Sequence, residues 1–180
     1  MLFVDDDGVV DAECIVVKRF STIERGKLDK VNGIVVHQTG GSTACSSFNS
    51  YKNTGANGAH FLINKDETIY QTASFFKVTN HAGNIRSRCH MEKTCKLSEI
   101  TTIKPLLNKY KQLSRLEQKK TYPESYPADF DPLGIEIVGK PVSGESENAV
   151  YEKVNDAQNN SLKWLIAELA DTLKVSFQTP

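Results

Sequence analysis

Val31-Asn32-Gly33-Ile34-Val35-Val36-His37-Gln38-Thr39-Gly40-Gly41 is the stretch on which the fold turns. From Asn32 to His37 the apolar residues run without alternation, which reads as a buried strand ending in a histidine. Gly40-Gly41 breaks it, and Ser42 or Thr43 then offers a helix N-cap. Ala44, Phe48 and Tyr51 follow at spacings of four and three, which suits one helix face. Gly55 is the expected helix stop.

Working outward, Cys14-Ile15-Val16-Val17 reads as a short strand upstream. Downstream, Ala59 to Asn64 and Thr68 to Gln71 flank a turn at Lys65-Asp66, a hairpin pattern. Thr79 to Leu97 has no clear period and reads as a long loop, a kind of segment that is more often functional than accidental. Pro105 is expected at or near a helix start, with Leu106, Tyr110 and Leu113 on one face. Tyr122 to Pro132 reads as a loop and Leu133 to Val138 as another strand, with Glu136 its one charge. Asn155 or Asp156 caps the last helix, where Leu162, Leu165, Ile166, Leu169 and Leu173 make a core-facing stripe. Strands interleaved with helices, plus one hairpin, predict an α/β fold with a mixed central β-sheet flanked by helices. Residues 1–180 are expected to form a single domain, a length that hides roughly 70% of the unfolded surface.

Lys plus Arg is 22 and Asp plus Glu is 22, so the formal net charge is zero and a polyanion-binding protein, nucleic-acid binders included, is not expected. The charge is unevenly spread. Residues 86–120 carry 10 basic and 3 acidic side chains, net +7, and residues 121–180 carry 4 and 10, net −6. The basic block reads either as a solvated helix face or as a local surface for an anionic polymer or an acidic partner. No apolar run approaches the about 20 residues of a membrane span, so none is expected. Met1 to Asp7 is acidic where a signal peptide needs positive charge, so no classical export signal is read.

Cys14, Cys45, Cys89 and Cys95 form no CxxC pair, which argues against a four-cysteine zinc site. Free thiols are the default expectation, with Cys14 and Cys45 packed as small hydrophobes. Cys89 and Cys95 are close enough to pair in an oxidising space.

The candidate chemistry rests on few residues. His37 ends a strand, where α/β proteins open onto a ligand crevice, and suits a zinc ligand, a general base or a hydrogen-bonded strand end. His60 lies inside the hairpin and reads first as a half-buried histidine bonded to a neighbour. In Asn80-His81-Ala82-Gly83-Asn84 the small residues leave room beside His81 for a ligand. His90 sits in a charged loop and is expected to be exposed. Glu136 in an apolar strand is costly to bury unpaired, by several kcal/mol. It either pairs, or has a raised pKa useful to a general base, or sits on an edge facing water.

Together these segments resemble a known family. Val31 to Thr39 looks like its opening strand, Ala59 to Gln71 like its central hairpin, and Asn80-His81-Ala82-Gly83 like its histidine-alanine-glycine loop. Gly134-Ile135-Glu136-Ile137-Val138-Gly139 looks like its glycine-isoleucine-glutamate strand, and Gln158 with the following stripe like its last long helix. The family is the zinc-dependent N-acetylmuramoyl-L-alanine amidases, the type 2 amidases related to peptidoglycan recognition proteins.

The resemblance implies hydrolysis of the amide between the lactyl group of N-acetylmuramic acid and the L-alanine of the stem peptide. It implies Zn2+ as cofactor, His37 as first zinc ligand and Glu136 as the residue that activates the zinc-bound water. It further implies His81, Asn80 and His60 as cleft and supporting residues, and peptidoglycan as partner. The family's remaining ligands, a histidine and then a cysteine or aspartate, follow the last long helix. Here only Val175 to Pro180 follows it, and no histidine occurs after His90. The chain is therefore expected to be C-terminally incomplete. The alternatives are a metal-free muropeptide-binding module, or a zinc site rebuilt from His37 with His81, His90 or Cys89. A wall substrate without an export signal further implies another delivery route. An antibacterial effector with an immunity protein, or a phage lysin released at lysis, would act in a target periplasm or after lysis.

Overall fold

Residues 1–144 and 149–174 are described by a computed structural model. The tail 175–180, on which the expectation of a missing ligand loop falls, lies outside them.

The chain begins with β1 (Phe3–Val4), β2 (Val10–Asp11), β3 (Ile15–Val17), β4 (Glu24–Lys27) and β5 (Gly33–Gln38). Helix α1 (Ala44–Tyr51) leads to the hairpin of β6 (Phe61–Ile63) and β7 (Ile69–Gln71), then to β8 (Lys77–Thr79). Three short helices follow, α2 (Arg88–Met91), α3 (Leu97–Ile103) and α4 (Tyr110–Glu117). The chain continues through β9 (Pro132–Ile137), β10 (Pro141–Ser143), β11 (Val150–Tyr151) and the long α5 (Asp156–Leu173). The central sheet has five strands in the order β3-β7-β6-β9-β5. β6 and β7 are antiparallel, and the β3–β7, β6–β9 and β9–β5 pairs are parallel, so the sheet is mixed as expected.

Alternation along the strands divides the sheet into two faces. Phe61, Ile63, Leu133 and Ile135 pack with Leu165 and Leu169 of α5 in one core cluster. Leu62 and Val138 pack with Ala44, Phe48 and Tyr51 of α1 in a second. The stripe on α5 is thus a core stripe, its two central leucines wholly buried, each worth about 1.5–3 kcal/mol of apolar transfer.

Helices α1 and α5 start where their caps dictate. The Thr43 hydroxyl accepts from the Ser46 N–H at 3.2 Å. Asn155 Oδ1 accepts from the Gln158 N–H at 2.8 Å while Gln158 Oε1 accepts from the Asn155 N–H at 3.3 Å, a reciprocal capping box. Gln158 Nε2 also donates to the Val138 carbonyl at 2.9 Å, which ties the start of α5 to the chain leaving β9.

Several local expectations are corrected. β5 is an edge strand with half-exposed residues, because only β9 pairs with it among the described residues. α1 ends at Tyr51, capped by Lys52, and Gly55 with φ 74° serves the turn beyond it. Pro105 lies near a helix start as expected, but the helix is a 3-10 turn and not the one that carries Tyr110 and Leu113. α3 runs into a 3-10 turn, Lys104–Leu106, whose first residues need no amide donor. The segment from Thr79 to Leu97 contains α2 and is stapled by a Cys89–Cys95 disulfide, so these two cysteines are not free. Cys89 lies in a small buried cluster with Ile103 and Leu113, and around it the basic block exposes all its lysines but Lys120, which is part-buried beside Glu117. Cys14 and Cys45 are free but exposed, not packed as small hydrophobes.

Candidate active site

The α1 face of the sheet carries the candidate residues because of register. His37 on β5 and Leu62 on β6 both align with Glu136 on β9, and aligned residues on parallel neighbours share a face. Glu136 therefore stands on a central strand flanked on both sides, not on an edge. Its Oε2 accepts a hydrogen bond from the hydroxyl of Tyr51, the last residue of α1. Burial pushes the Glu136 pKa up, and the Tyr51 hydrogen bond opposes that shift. The Tyr51 phenol is itself pushed up by burial and by the neighbouring carboxylate.

One pleat before Glu136 stands Gly134, and the His81 ring lies against it. The loop bearing His81 is pinned by Asp129, whose Oδ1 accepts from the His81 N–H at 2.9 Å and the Ala82 N–H at 2.7 Å. His81 Nδ1 lies 2.9 Å from the Thr79 carbonyl. A carbonyl only accepts, so in the neutral ring Nδ1 carries the proton and Nε2 is a bare lone pair. Burial pushes the His81 pKa down to about 4, against the opposing pull of the Thr79 carbonyl and Asp129. His81 Nε2 and His37 Nε2 are both buried without a hydrogen-bond partner. The two rings lie 6.1 Å apart between centroids, and burial also lowers the His37 pKa while the Asp129 charge opposes it.

His60 is enclosed completely, not half-buried, and its surface is closed to a ligand. Its Nε2 donates to the Lys77 carbonyl at 2.7 Å and its Nδ1 accepts from the Gly134 N–H at 2.9 Å. Burial drives its pKa down to about 3. It is a neutral brace beneath His81, its ring centroid 5.9 Å from that of His81. Asn80 is half-buried, and its carbonyl accepts from the Gly58 N–H at 3.1 Å. His90 is exposed on α2 as expected, and Cys89 is committed to its disulfide, which removes it as a thiolate ligand.

An apolar cavity of about 500 Å³ is lined by Val35, Val36, Ala82, Ile85, Met91 and Tyr126 among others; Val36 and Ala82 are chain neighbours of His37 and His81, and none of the candidate residues lines it. Among the described residues no three His, Cys, Asp or Glu side chains gather as a metal-holding group. No helix among them is long and apolar enough to cross a membrane.

Tyr51 and Asp129 were not legible as site residues. Tyr51 reads only as a position on a buried helix face, and Asp129 as one acid in a proline- and aromatic-rich loop. They reach the site across 85 and 48 residues of chain.

A carboxylate kept basic by burial, set on a sheet face beside neutral imidazoles, suits general-base hydrolysis. The sequence pattern of the N-acetylmuramoyl-L-alanine amidases matches residues 27–179, and the chain belongs to this family of peptidoglycan-hydrolysing amidases. No curated protein matches the chain.

Proposed function

We propose that this chain hydrolyses the amide between N-acetylmuramic acid and the L-alanine of the stem peptide, with Glu136 as general base. The observation that carries the reading is the convergence of Glu136, His37 and His81 on one sheet face. Glu136 takes a proton from water as its oxygen attacks the lactyl carbonyl, and returns it to the alanine nitrogen as the C–N bond breaks. His81, neutral and with its buried Nε2 unpartnered, stands against Gly134 on the loop that Asp129 pins. Asn80 stands beside it on the same loop.

A zinc-assisted form would use His37, whose buried Nε2 has no protein partner. Catalytic zinc usually takes three protein ligands, and the described residues bring no such group together. They do not make a zinc site by themselves.

With this substrate the chain acts on the cell wall, in a target periplasm or after lysis. The Cys89–Cys95 disulfide suits such an oxidising space. As an antibacterial effector it would require an immunity protein in its producer.

The test is digestion of purified peptidoglycan, with and without added zinc, followed by mass spectrometry of the soluble products. Free stem peptides beginning with L-alanine are expected, and Glu136→Gln is expected to lower their rate by roughly 10²–10⁴-fold. Undiminished release by Glu136→Gln would overturn the base. Muropeptide binding without any release by the unaltered chain would support a recognition module instead.

A further inference from the structure

We propose that Tyr51 is a positioning residue for amide hydrolysis, holding the Glu136 carboxylate through its hydroxyl so that the second carboxylate oxygen meets the water. This rests on the reading of Glu136 as the general base. Tyr51 is 3% exposed; its hydroxyl donates to Glu136 Oε2, and the phenol oxygen is in turn met by the Ala59 backbone N–H. Among the described residues Glu136 Oε1 has no protein donor, which leaves that oxygen to take the proton.

The Tyr51 ring is a fixed donor. The Phe20 ring packs edge-on against it at 5.5 Å between centroids. On another side Gly58 approaches so closely that a Cβ there would come within 2.9 Å of Tyr51 Cε1. The Tyr51 carbonyl is in turn bonded by the Thr22 hydroxyl, which anchors the end of α1. A general base must sit within hydrogen-bond reach of the proton it abstracts, and a carboxylate free to rotate about its side-chain torsions spends much of its time elsewhere. A donor locked by packing removes that freedom. The same hydrogen bond favours the charged carboxylate against the burial that disfavours it. A purely packing role for Tyr51 would be served as well by phenylalanine, which would leave Glu136 Oε2 without its donor.

The experiment compares Tyr51→Phe, Glu136→Gln and the double variant of the full chain with the unaltered chain, on a soluble muropeptide. Tyr51→Phe is expected to lower kcat by roughly 10–100-fold with little change in KM, the scale of a misplaced catalytic group. In the Glu136→Gln background the same substitution is expected to have no further effect. If Glu136→Gln retains activity, the reading of the base fails. If Glu136→Gln is inactive while Tyr51→Phe keeps full kcat, the positioning role alone fails. An equal loss in both backgrounds, or a change confined to KM, also overturns it. A readout independent of turnover is the slowly exchanging Tyr51 hydroxyl proton in the NMR spectrum. It is expected to be absent in Tyr51→Phe and displaced in Glu136→Gln. A hydroxyl signal unmoved by Glu136→Gln would overturn the contact even if Tyr51→Phe fails to fold.

Discussion

The His81 ring occupies space that exists only because residue 134 is glycine. A Cβ at Gly134 would lie 2.6 Å from His81 Cδ2 and Cγ and 2.8 Å from Nδ1. The glycine of the glycine-isoleucine-glutamate strand is thus a seat for the histidine of a separate loop, one pleat from Glu136.

Gly134→Ala is therefore expected to push His81 off the sheet. Overpacking of a close contact costs about 1–3 kcal/mol, and the Thr79–His81 hydrogen bond is lost with it. Urea unfolding measures the cost. The chemical shifts of His81 and His60 report whether the rings separate while the rest of the spectrum stays in place.

Loss of the pin at Asp129 is expected to free the same loop from below. Asp129→Ala leaves the His81 and Ala82 N–H groups without their shared acceptor, at about 1–3 kcal/mol. Asp129→Asn keeps an acceptor oxygen and is expected to cost less. Amide hydrogen exchange at residues 81 and 82 is the measurement. Faster exchange confined to that loop is expected for the alanine variant.

Acid is expected to weaken the fold through the buried histidines. His60 titrates near 6.5 in the unfolded chain and near 3 when folded, because burial disfavours its charged form. Between those values the unfolded chain holds more protons, so stability is fully present above about 6.5 and falls as the pH drops toward 3. His81, held near 4, adds a loss of the same sign. Urea midpoints at successive pH values from 7.5 to 4 check the slope. His60→Gln is expected to flatten it, while lowering stability at neutral pH by leaving the Gly134 N–H unpaired.

Native protein is expected to show two reactive thiols, Cys14 and Cys45, and four after reduction. Reduction removes a crosslink closing a loop of six residues' separation, worth about 2 kcal/mol in chain entropy. A thiol titration with and without reductant, paired with a thermal melt, tests both. The loss is expected to centre on α2, α3 and α4, whose small core contains Cys89.

Much of the layout was legible because it is local. The α5 stripe, the hairpin turn and the caps, read as Ser42 or Thr43 and as Asn155 or Asp156 and found at Thr43 and Asn155, each report a period or a hydrogen bond spanning a few residues. His37 at a strand end and Glu136 as the lone charge of an apolar strand stood out for the same reason. The edge position of β5 was not legible, since an apolar run looks alike in a central strand and in an edge strand half covered by loops. Nor was the exposure of Cys14 and Cys45, because apolar sequence neighbours do not say which way a thiol faces.

The order of the residues determined by itself the main strands β5, β6, β7 and β9, the helices α1 and α5 with their apolar faces, and which histidines and carboxylate stand where a site could form; it did not show the short β1, β2, β4, β8, β10 and β11 or the helices α2 and α3. Those properties follow from side-chain periodicity and backbone preference over a few residues. Tertiary structure alone decided the partners. It set Tyr51 on Glu136, Asp129 beneath the His81 loop, His60 against the Gly134 backbone and Cys89 against Cys95. Apart from the short disulfide loop, these contacts join elements far apart in the chain, and they exist because the sheet register and the burial of two apolar faces leave the backbone one arrangement that satisfies both.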